Sequence, residues 1–325
     1  IWSYAWSAPA HQQIAELACR RGQWAKALDH VDRSLAAGAA NTKALALRAA
    51  ILRKLGQPNR ALPVAERAAA IDPIDFLPAN EIRLAKAALG ENPEADAMQR
   101  DMHACFEAAV DYGNCGLYPE AIEVLSQIVD RAADKSAVYP MVYYYLGYYH
   151  QQCGNATEGR TQYRLGRQAP PDYCFPFRLE SVDVLRQAMA ADAQDARAPY
   201  YLGNLLYDIQ PLDALAAWEE SARRDGEFAM VHRNLGVGYA QAARDPAKAV
   251  THFERALACN PRDPKIYAEL DQVYRVVGRD PQERLALLEK NHEVVRQRMD
   301  SLLREILLGV LLGRYDRAIE LLKES

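Results

Sequence analysis

The sequence predicts an all-α protein built as an array of helical hairpins, and two observations support this fold class. The turn segments "RRGQW", "KLGQP" and "ALGEN" place Gly22, Gly56 and Gly90 at successive intervals of 34 residues. Apolar residues recur every three or four positions on both sides of each glycine, which is typical of two amphipathic helices joined by a tight turn. A fixed period of this length is the signature of a helical repeat.

A small residue follows each of these glycines by five positions. Glycine tolerates the left-handed conformation that ends a helix, and a small residue one turn into the next helix lets the two helix backbones approach closely. Each pair therefore predicts one hairpin. The spacing occurs at Gly22 and Ala27, Gly56 and Ala61, Gly90 and Ala95, Gly116 and Ala121, Gly154 and Gly159, and Gly313 and Ala318.

The segment "HRNLGVGYAQAARDPAKAVTHFERALACNP" resembles the tetratricopeptide repeat (TPR), whose signature is W-x2-L-G-x2-Y, then A-x3-F, then P over 34 residues. A second copy is "YYYLGYYHQQCGNATEGRTQYRLGRQAPP", and a third is "PYYLGNLLYDIQPLDALAAWEESARRDG", where Trp218 takes the aromatic slot. In "YAELDQVYRVVG", Asp271 stands where the family has glycine. The resemblance implies a right-handed superhelix of about eight to nine hairpins with one irregular helical insert. It also implies a concave groove, lined by the first helix of each hairpin. The matching positions of the first copy are His232, Leu235, Gly236, Tyr239, Ala249, Phe253, Ala256 and Pro261.

The period divides the chain into three parts. Residues 1–171 are predicted to form an N-terminal lobe of about five hairpins, and residues 196–325 a C-terminal lobe of about four, the last truncated or capping. Residues 172–195 interrupt the period and are predicted to be an irregular connector with one extra helix from Phe177 to Ala191. The step from Gly90 to Gly116 is only 26 residues, so the second helix of the third hairpin is predicted to be short.

A longer segment, from "FPFRLESVDVLRQAM" to "ELDQVYRVVGR", is similar to the C-terminal TPR region of large uncharacterised bacterial proteins that carry an N-terminal β-rich domain related to carbohydrate-active proteins. The chain begins without Met and ends inside a helical pattern. We therefore expect a fragment of a longer parent protein.

Composition and motifs disfavour several functional classes. The 39 basic and 43 acidic residues are interspersed, which disfavours a nucleic-acid or membrane surface. The six cysteines lack C-x-x-C pairs, and no G-x-S-x-G, H-E-x-x-H or phosphate-loop motif is present. The sequence thus predicts a cytoplasmic, non-enzymatic protein with no catalytic residues, metal or cofactor.

The stretch "YYYLGYYH" predicts part of a ligand surface. Tyr143 and Leu146 occupy signature slots and are expected between helices, whereas Tyr144, Tyr148 and Gln151 share the adjacent face, which is expected to be partly exposed in the groove. Such rings give large contacts with few rotamers to freeze. We therefore expect a Tyr- and Asn-rich groove that binds a peptide segment or a protein domain, including another domain of the parent chain. The later repeats add Tyr200, Asn204, Tyr207, Asp208, Arg233, Asn234 and Lys265 to this predicted groove.

Three alternatives remain open from the residues. Asn204, Asn234 and Lys265 fall in the slots of a carboxylate clamp for a peptide terminus, although Tyr200 and Glu269 replace two of its cations. The chain could instead be the helical domain of a carbohydrate-active enzyme or binder, as a closed α/α toroid with acid and base carboxylates. The tyrosines could also only fill the superhelix. A separate basic group is predicted to be solvated helix ends: Arg20, Lys43, Arg53 and Lys54.

Overall fold

The computed structural model describes residues 6–91 and 102–324, and these contain helices and turns but no strand, as the all-α prediction requires. The contacts divide the chain into two compact units, Ile1–Pro170 (unit 1) and Pro171–Ser325 (unit 2). The helices pack as successive antiparallel TPR-like hairpins. Within the described ranges, every helix is too short or too polar to cross a membrane.

Unit 1 contains four complete hairpins and the first helix of another among its described residues. The helices are α1 (Ser7–Arg20), α2 (Trp24–Ala37), α3 (Thr42–Lys54), α4 (Pro58–Ile71), α5 (Phe76–Ala88), α6 (Met102–Asn114), α7 (Tyr118–Arg131), α8 (Pro140–Gln152) and α9 (Ala156–Gln168). A short 3-10 turn, Lys135–Ala137, precedes α8. The predicted short second helix of the third hairpin, with Ala95, lies outside the described residues.

Unit 2 begins with a single helix and continues as hairpins. Its helices are α10 (Ser181–Ala191), α11 (Arg197–Leu206), α12 (Pro211–Arg224), α13 (Ala229–Gln241), α14 (Pro246–Cys259), α15 (Pro264–Val276), α16 (Pro281–Lys290), α17 (His292–Val295), α18 (Met299–Leu311) and α19 (Tyr315–Glu324). The helix predicted from Phe177 begins instead at Ser181. The carbonyls of Arg178 and Leu179 accept hydrogen bonds from the backbone N–H groups of Ser181 and Val182. These bonds form a tight turn before the helix.

The hairpin turns follow the predicted glycines. After seven of the described first helices, the second residue is a glycine with a left-handed backbone, which glycine adopts without strain. Six of these glycines were predicted, and Gly278 is an additional one. No such glycine follows α11 or α13. The small residues five positions later are buried wherever the structure describes them. The glycine φ angles are 67° at Gly22, 73° at Gly56, 80° at Gly90, 72° at Gly116, 81° at Gly154, 73° at Gly278 and 76° at Gly313.

A second class of glycine lies inside the first helices and makes room for aromatic rings. A Cβ atom built on Gly236 would lie 2.7 Å from the Phe253 ring. The ring therefore packs directly against the backbone of α13. This close approach explains why the signature pairs a glycine with a later aromatic residue.

We expect Gly236→Ala to destabilise unit 2 by about 1–3 kcal/mol, because the ring must shift out of a close-packed interior. The matched control is Gly309→Ala in α18, where the nearest neighbour of a new Cβ would lie at 3.9 Å. That change should be neutral or stabilising by up to about 1 kcal/mol, the helix propensity gain of alanine. Chemical denaturation measures both, and equal effects would contradict the packing argument.

Candidate functional site

The tyrosine-rich helix α8 is largely core. Tyr143 and Leu146 are buried, as predicted, but Tyr144 is 0% exposed and its predicted exposure in the groove is wrong. Its ring lies 6.3 Å from the Tyr163 ring, and a Cβ on Gly166 would come within 3.0 Å of it. The absent side chain at Gly166 therefore admits the Tyr144 ring into its own hairpin.

The other rings of α8 pack on the preceding hairpin. Tyr145 lies 5.0 Å from the Phe106 ring, and the Tyr149 hydroxyl donates to the Ala109 carbonyl at 3.3 Å. Tyr148 is half-buried, and Gln151 accepts a hydrogen bond from the Tyr163 hydroxyl at 3.2 Å. Of the residues predicted to line the groove in this helix, Tyr148 and Gln151 therefore keep some exposure.

The first helices of unit 1 also meet one another. Helix α1 contacts α6, and the Arg20 Nε atom donates to the Asn114 carbonyl at 2.6 Å. Lys43 pairs with Asp111 at 3.3 Å. Side chains of the protein thus occupy the surface between these helices, which leaves less room there for a ligand.

A buried ion-pair network joins the C-terminal end of α3, the middle of α5 and the N-terminal end of α7. Arg53 donates to both oxygens of Glu81 at 3.0 Å and to Glu120 at 3.0 Å, and Lys54 pairs with Glu120. The Tyr112 hydroxyl donates to Glu81 at 2.7 Å. The prediction of solvated helix ends is therefore wrong for Arg53, because carboxylates of two other hairpins, 28 and 67 residues away in sequence, pack against it.

Burial alone would raise the pKa of the Glu120 carboxyl, but Lys54 and Arg53 outweigh it and lower that pKa. The carboxylate is therefore ionised at neutral pH and is bound to two cations. Two carboxylates and two cations balance the charge of this network.

In unit 2, Trp218 fixes one of the predicted groove residues. Its Nε1 atom donates to the Asn204 side-chain oxygen at 3.1 Å and to the Tyr200 carbonyl at 3.2 Å. Because an indole N–H can only donate, the oxygen of the Asn204 amide must face the ring. The orientation of this amide is thereby determined.

Asn234 completes an amide pair across two hairpins. Its Nδ2 atom donates to the same oxygen of Asn204 at 2.9 Å. That oxygen then has two donors, so neither amide can rotate without losing a hydrogen bond. Within the described part of the chain, the Asn234 side-chain oxygen has no donor and each amide keeps an N–H without an acceptor.

Charged residues lie beside the amide pair. Arg233 forms an ion pair with Glu269 of the next hairpin, and the buried Arg233 Nε and Glu269 Oε2 atoms find no hydrogen-bond partner among the described residues. Lys265 is half-buried, and its ammonium has no ion-pair partner in the part of the chain that the structure describes. The Asp263 carboxylate lies two residues before Lys265 and accepts a hydrogen bond from its backbone N–H at 3.0 Å.

The remaining predicted residues differ in exposure. Tyr200 is buried against Phe228, with ring centroids 4.8 Å apart, so its ring packs beneath the predicted groove and is not exposed in it. Burial raises the pKa of its phenol, and the Asn204 amide acts in the opposite direction. Tyr207 is half-buried and donates to Gln241 at 3.3 Å, while Asp208 is exposed.

Two interactions on this surface escaped the sequence analysis, although the repeat carried a signal for both. Gln241 follows Tyr207 by 34 residues, and Glu269 follows Arg233 by 36. In a 34-residue array, complementary groups about one period apart lie on neighbouring hairpins and can meet. A search for such pairs would have found them.

A pair of histidines joins the two helices of the same hairpin. The Nδ1 atoms of His232 and His252 lie 3.2 Å apart, and His232 Nε2 donates to the Gly226 carbonyl at 3.0 Å. With that proton fixed, Nδ1 of neutral His232 must accept from His252. Burial lowers the pKa of both imidazoles, and the neighbouring His232 lowers that of His252 further.

We expect this pair to make unit 2 less stable in acid. Because folding lowers both pKa values, the unfolded chain binds more protons, so the contribution is complete above the unfolded pKa of about 6.5 and is lost as pH falls below it. Denaturant titrations of the wild type and His252→Phe should show a stability difference that shrinks from about pH 7.5 to 5. Subtracting the two free energies of unfolding cancels the pH dependence that the carboxylates contribute to both proteins. A stability difference that grows as pH falls would contradict the lowered pKa of the histidine pair.

Comparison with known proteins finds distant likenesses to solved structures. No family model matches the sequence. Among solved structures, MamA is 18% identical over 58% of this chain and 95% of its own, with a TM-score of 0.33. Pseudomonas aeruginosa PilF is 19% identical over 67% and 87%, with a TM-score of 0.36. YrrB, described as a TPR protein with an unusual peptide-binding site, is 16% identical over 71% and 92%, with a TM-score of 0.25. At TM-scores this low, none of these likenesses bears on what this chain binds.

Proposed function

We propose that the protein is a non-enzymatic binding scaffold that holds an extended peptide segment on the surface of unit 2 formed by Asn204, Asn234, Arg233, Glu269 and Lys265. The observation that carries the proposal is the amide pair locked by Trp218. A fixed pair of amides offers N–H donors and a carbonyl acceptor, which matches the main chain of an extended peptide. Because the amides are held before the ligand arrives, binding costs less ordering entropy.

Charge adds a preference to this proposal. Lys265 supplies the unpaired cation, while Arg233 is already neutralised by Glu269. An acidic side chain or a terminal carboxylate of the peptide would place its charge near Lys265. The surface thus retains part of a carboxylate clamp, with one cation rather than three.

The enzyme alternative requires two carboxylates that act as acid and base, and Asp208 is the exposed carboxylate among the described residues of the predicted groove in unit 2. Glu269 is bound to Arg233, and Glu219 accepts from the Tyr239 hydroxyl. The half-exposed Tyr148 and Gln151 of unit 1 remain a separate candidate contact surface. The proposal therefore concerns the amide surface of unit 2 alone.

The test begins with peptides selected from a displayed random library on the full chain. For the selected peptides, Asn204→Ala with Asn234→Ala should weaken binding by about 1–2 kcal/mol for each lost contact. Asn155→Ala is the control, because that exposed cap residue of unit 1 makes no side-chain capping bond. Lys265→Ala should weaken acidic peptides more than their amidated or neutral versions.

Thermal unfolding of each variant separates lost contacts from lost folding. If the selected peptides bind the double asparagine variant as tightly as the wild type, while the variant remains folded, the amide surface is not the binding site.

A further inference from the structure

The segment that opens unit 2 carries a row of exposed apolar side chains outside the amide surface. Between Pro171 and Ser181 the chain is neither helix nor strand, and its exposure alternates from one residue to the next. Such alternation is that of an extended chain, whose side chains point to opposite sides in turn. The outward residues, here called the aromatic ridge, are Tyr173 (89% exposed), Phe175 (64%), Phe177 (70%) and Leu179 (72%).

The residues between them anchor the ridge to unit 2. Cys174 and Pro176 are buried, and burial together with the nearby Cys174 thiol raises the pKa of the Tyr201 phenol of α11. Tyr173 has a positive φ of 58°, which turns the chain just before the anchor. The ridge is thus held in place from beneath, while its rings face outward.

The aromatic ridge exposes a considerable apolar area. A covered aromatic residue buries about 150–250 Å², so the three rings at their exposure offer on the order of 400 Å². Single exposed apolar residues are ordinary, whereas a patch of about 400 Å² matches the largest apolar patch of a typical monomer, which is often functional. Exposing four large apolar side chains to water costs free energy, which a partner that covers them would recover.

The backbone of the ridge is also unpaired. Among the described residues, the N–H and C=O groups of Phe175 and Phe177 take part in no hydrogen bond. Residues two apart in an extended chain direct their backbone groups to the same side. The ridge therefore offers a strand edge as well as a row of rings.

The charges around the ridge select among partners. Asp172, Glu180 and Asp183 are exposed. Two cations lie near them: Arg186 is exposed, and Arg178 is half-buried and stacks over the Phe177 ring at 5.4 Å. These five side chains together carry one net negative charge. An acidic margin repels an anionic membrane surface and attracts a basic one. It favours a protein partner with Lys or Arg at the rim of its binding surface.

From these observations we propose that the aromatic ridge is a docking strand for a partner protein that offers the free edge of a β-sheet, apolar where it meets the rings and basic at its rim. Phe175 and Phe177 would pair their backbone groups with the edge strand, as in recognition by strand addition. Tyr173 and Leu179 would extend the apolar contact at either end. An interface of standard size buries about 800 Å² on each partner, so the ridge would form its centre.

The probe is a disulfide-closed β-hairpin peptide with an outer edge of alternating Val and Lys, labelled for fluorescence anisotropy against the full chain. The closed hairpin presents its edge already formed. We expect Phe175→Ser with Phe177→Ser to weaken binding at least about tenfold. The control, Ile209→Ser with Leu212→Ser, removes two equally exposed apolar residues of unit 2 away from the ridge and should change binding by less than about twofold.

Two altered hairpins test the chemistry. N-methylation of the outer edge removes its N–H donors, and replacing Lys by Glu reverses its charge; each should weaken binding by about tenfold or more. Chymotrypsin cleavage after Phe177 should slow when the original hairpin is bound. The serine variants should retain the wild-type circular dichroism, because the replaced rings are exposed.

The proposal is overturned if the hairpin does not bind the wild-type protein up to about 1 mM, or if the N-methylated hairpin binds equally well. It is also overturned if light scattering shows a wild-type dimer that the double serine variant loses, since the ridge would then bind a second copy. Ridge-dependent binding to phosphatidylserine vesicles would assign the ridge to a membrane instead.

Discussion

Trp218→Ala should lower the free energy of unfolding of unit 2 by about 3–5 kcal/mol, the cost of removing a buried tryptophan and leaving a cavity. The side chain is 3% exposed and packs beneath the Tyr207 ring, with centroids 5.1 Å apart. Denaturant titration measures the loss. Peptide binding should also weaken in this variant at denaturant concentrations at which it is still folded, because the Asn204 amide is no longer fixed.

Trp218→Phe separates the two roles of this residue. It keeps much of the apolar contact but removes the indole N–H, so it should cost less stability while freeing the Asn204 amide to rotate. A loss below about 1 kcal/mol for Trp218→Ala would show that the ring is not a packing centre. Equal stability of the alanine and phenylalanine variants would also contradict the assignment.

Arg53→Met should destabilise unit 1 by about 3–5 kcal/mol, because it leaves the buried Glu81 carboxylate without its cation. Glu81 is fully buried, and among the described residues the Tyr112 hydroxyl is the hydrogen-bond partner it would keep. Methionine keeps a similar chain length, so the measured loss reports charge rather than volume. Denaturation monitored by circular dichroism gives the value.

Arg48→Met is the matched control on the same helix. Arg48 pairs with Asp32 at 2.6 Å, but both side chains are partly exposed, and such pairs contribute at most about 1 kcal/mol. If the two substitutions cost the same, burial does not set the strength of the Arg53 network. A second variant, Arg53→Met with Glu81→Leu, should recover part of the loss by removing the unpaired charge.

The repeat period made most of the fold predictable. Each turn glycine had to adopt a left-handed backbone, and each small residue after it had to admit a neighbouring helix, so the spacing of Gly22 and Ala27 already specified a hairpin. Asp271 shows how a departure from the pattern is accommodated. It occupies the glycine slot and forms a bidentate ion pair with Arg284 at 2.8 and 3.0 Å. In other hairpins, an aromatic ring packs against the glycine at this position.

Side-chain direction was harder to predict than helix position. Tyr144 and Tyr148 share one face of α8, yet the first is buried and the second half-exposed. Gly166, a residue of the next helix, leaves the space that the Tyr144 ring occupies. Arg53 was predicted to be solvated because it lies at a helix end among interspersed charges. The sequence did not show that carboxylates of two other hairpins pack against it.

The contact between α1 and α6 has a consequence for how unit 1 folds. In a simple repeat array each hairpin touches only its neighbours, so the terminal hairpin can fray while the rest stays folded. Here Arg20 and Asn114 are joined across a sequence separation of 94 residues. Closing that loop costs chain entropy before the contact forms, which slows folding. Once formed, the contact ties the first hairpin to the fourth. We therefore expect the amide protons at the N-terminal end of unit 1 to exchange with solvent at the same rate as those of the rest of the unit, rather than faster.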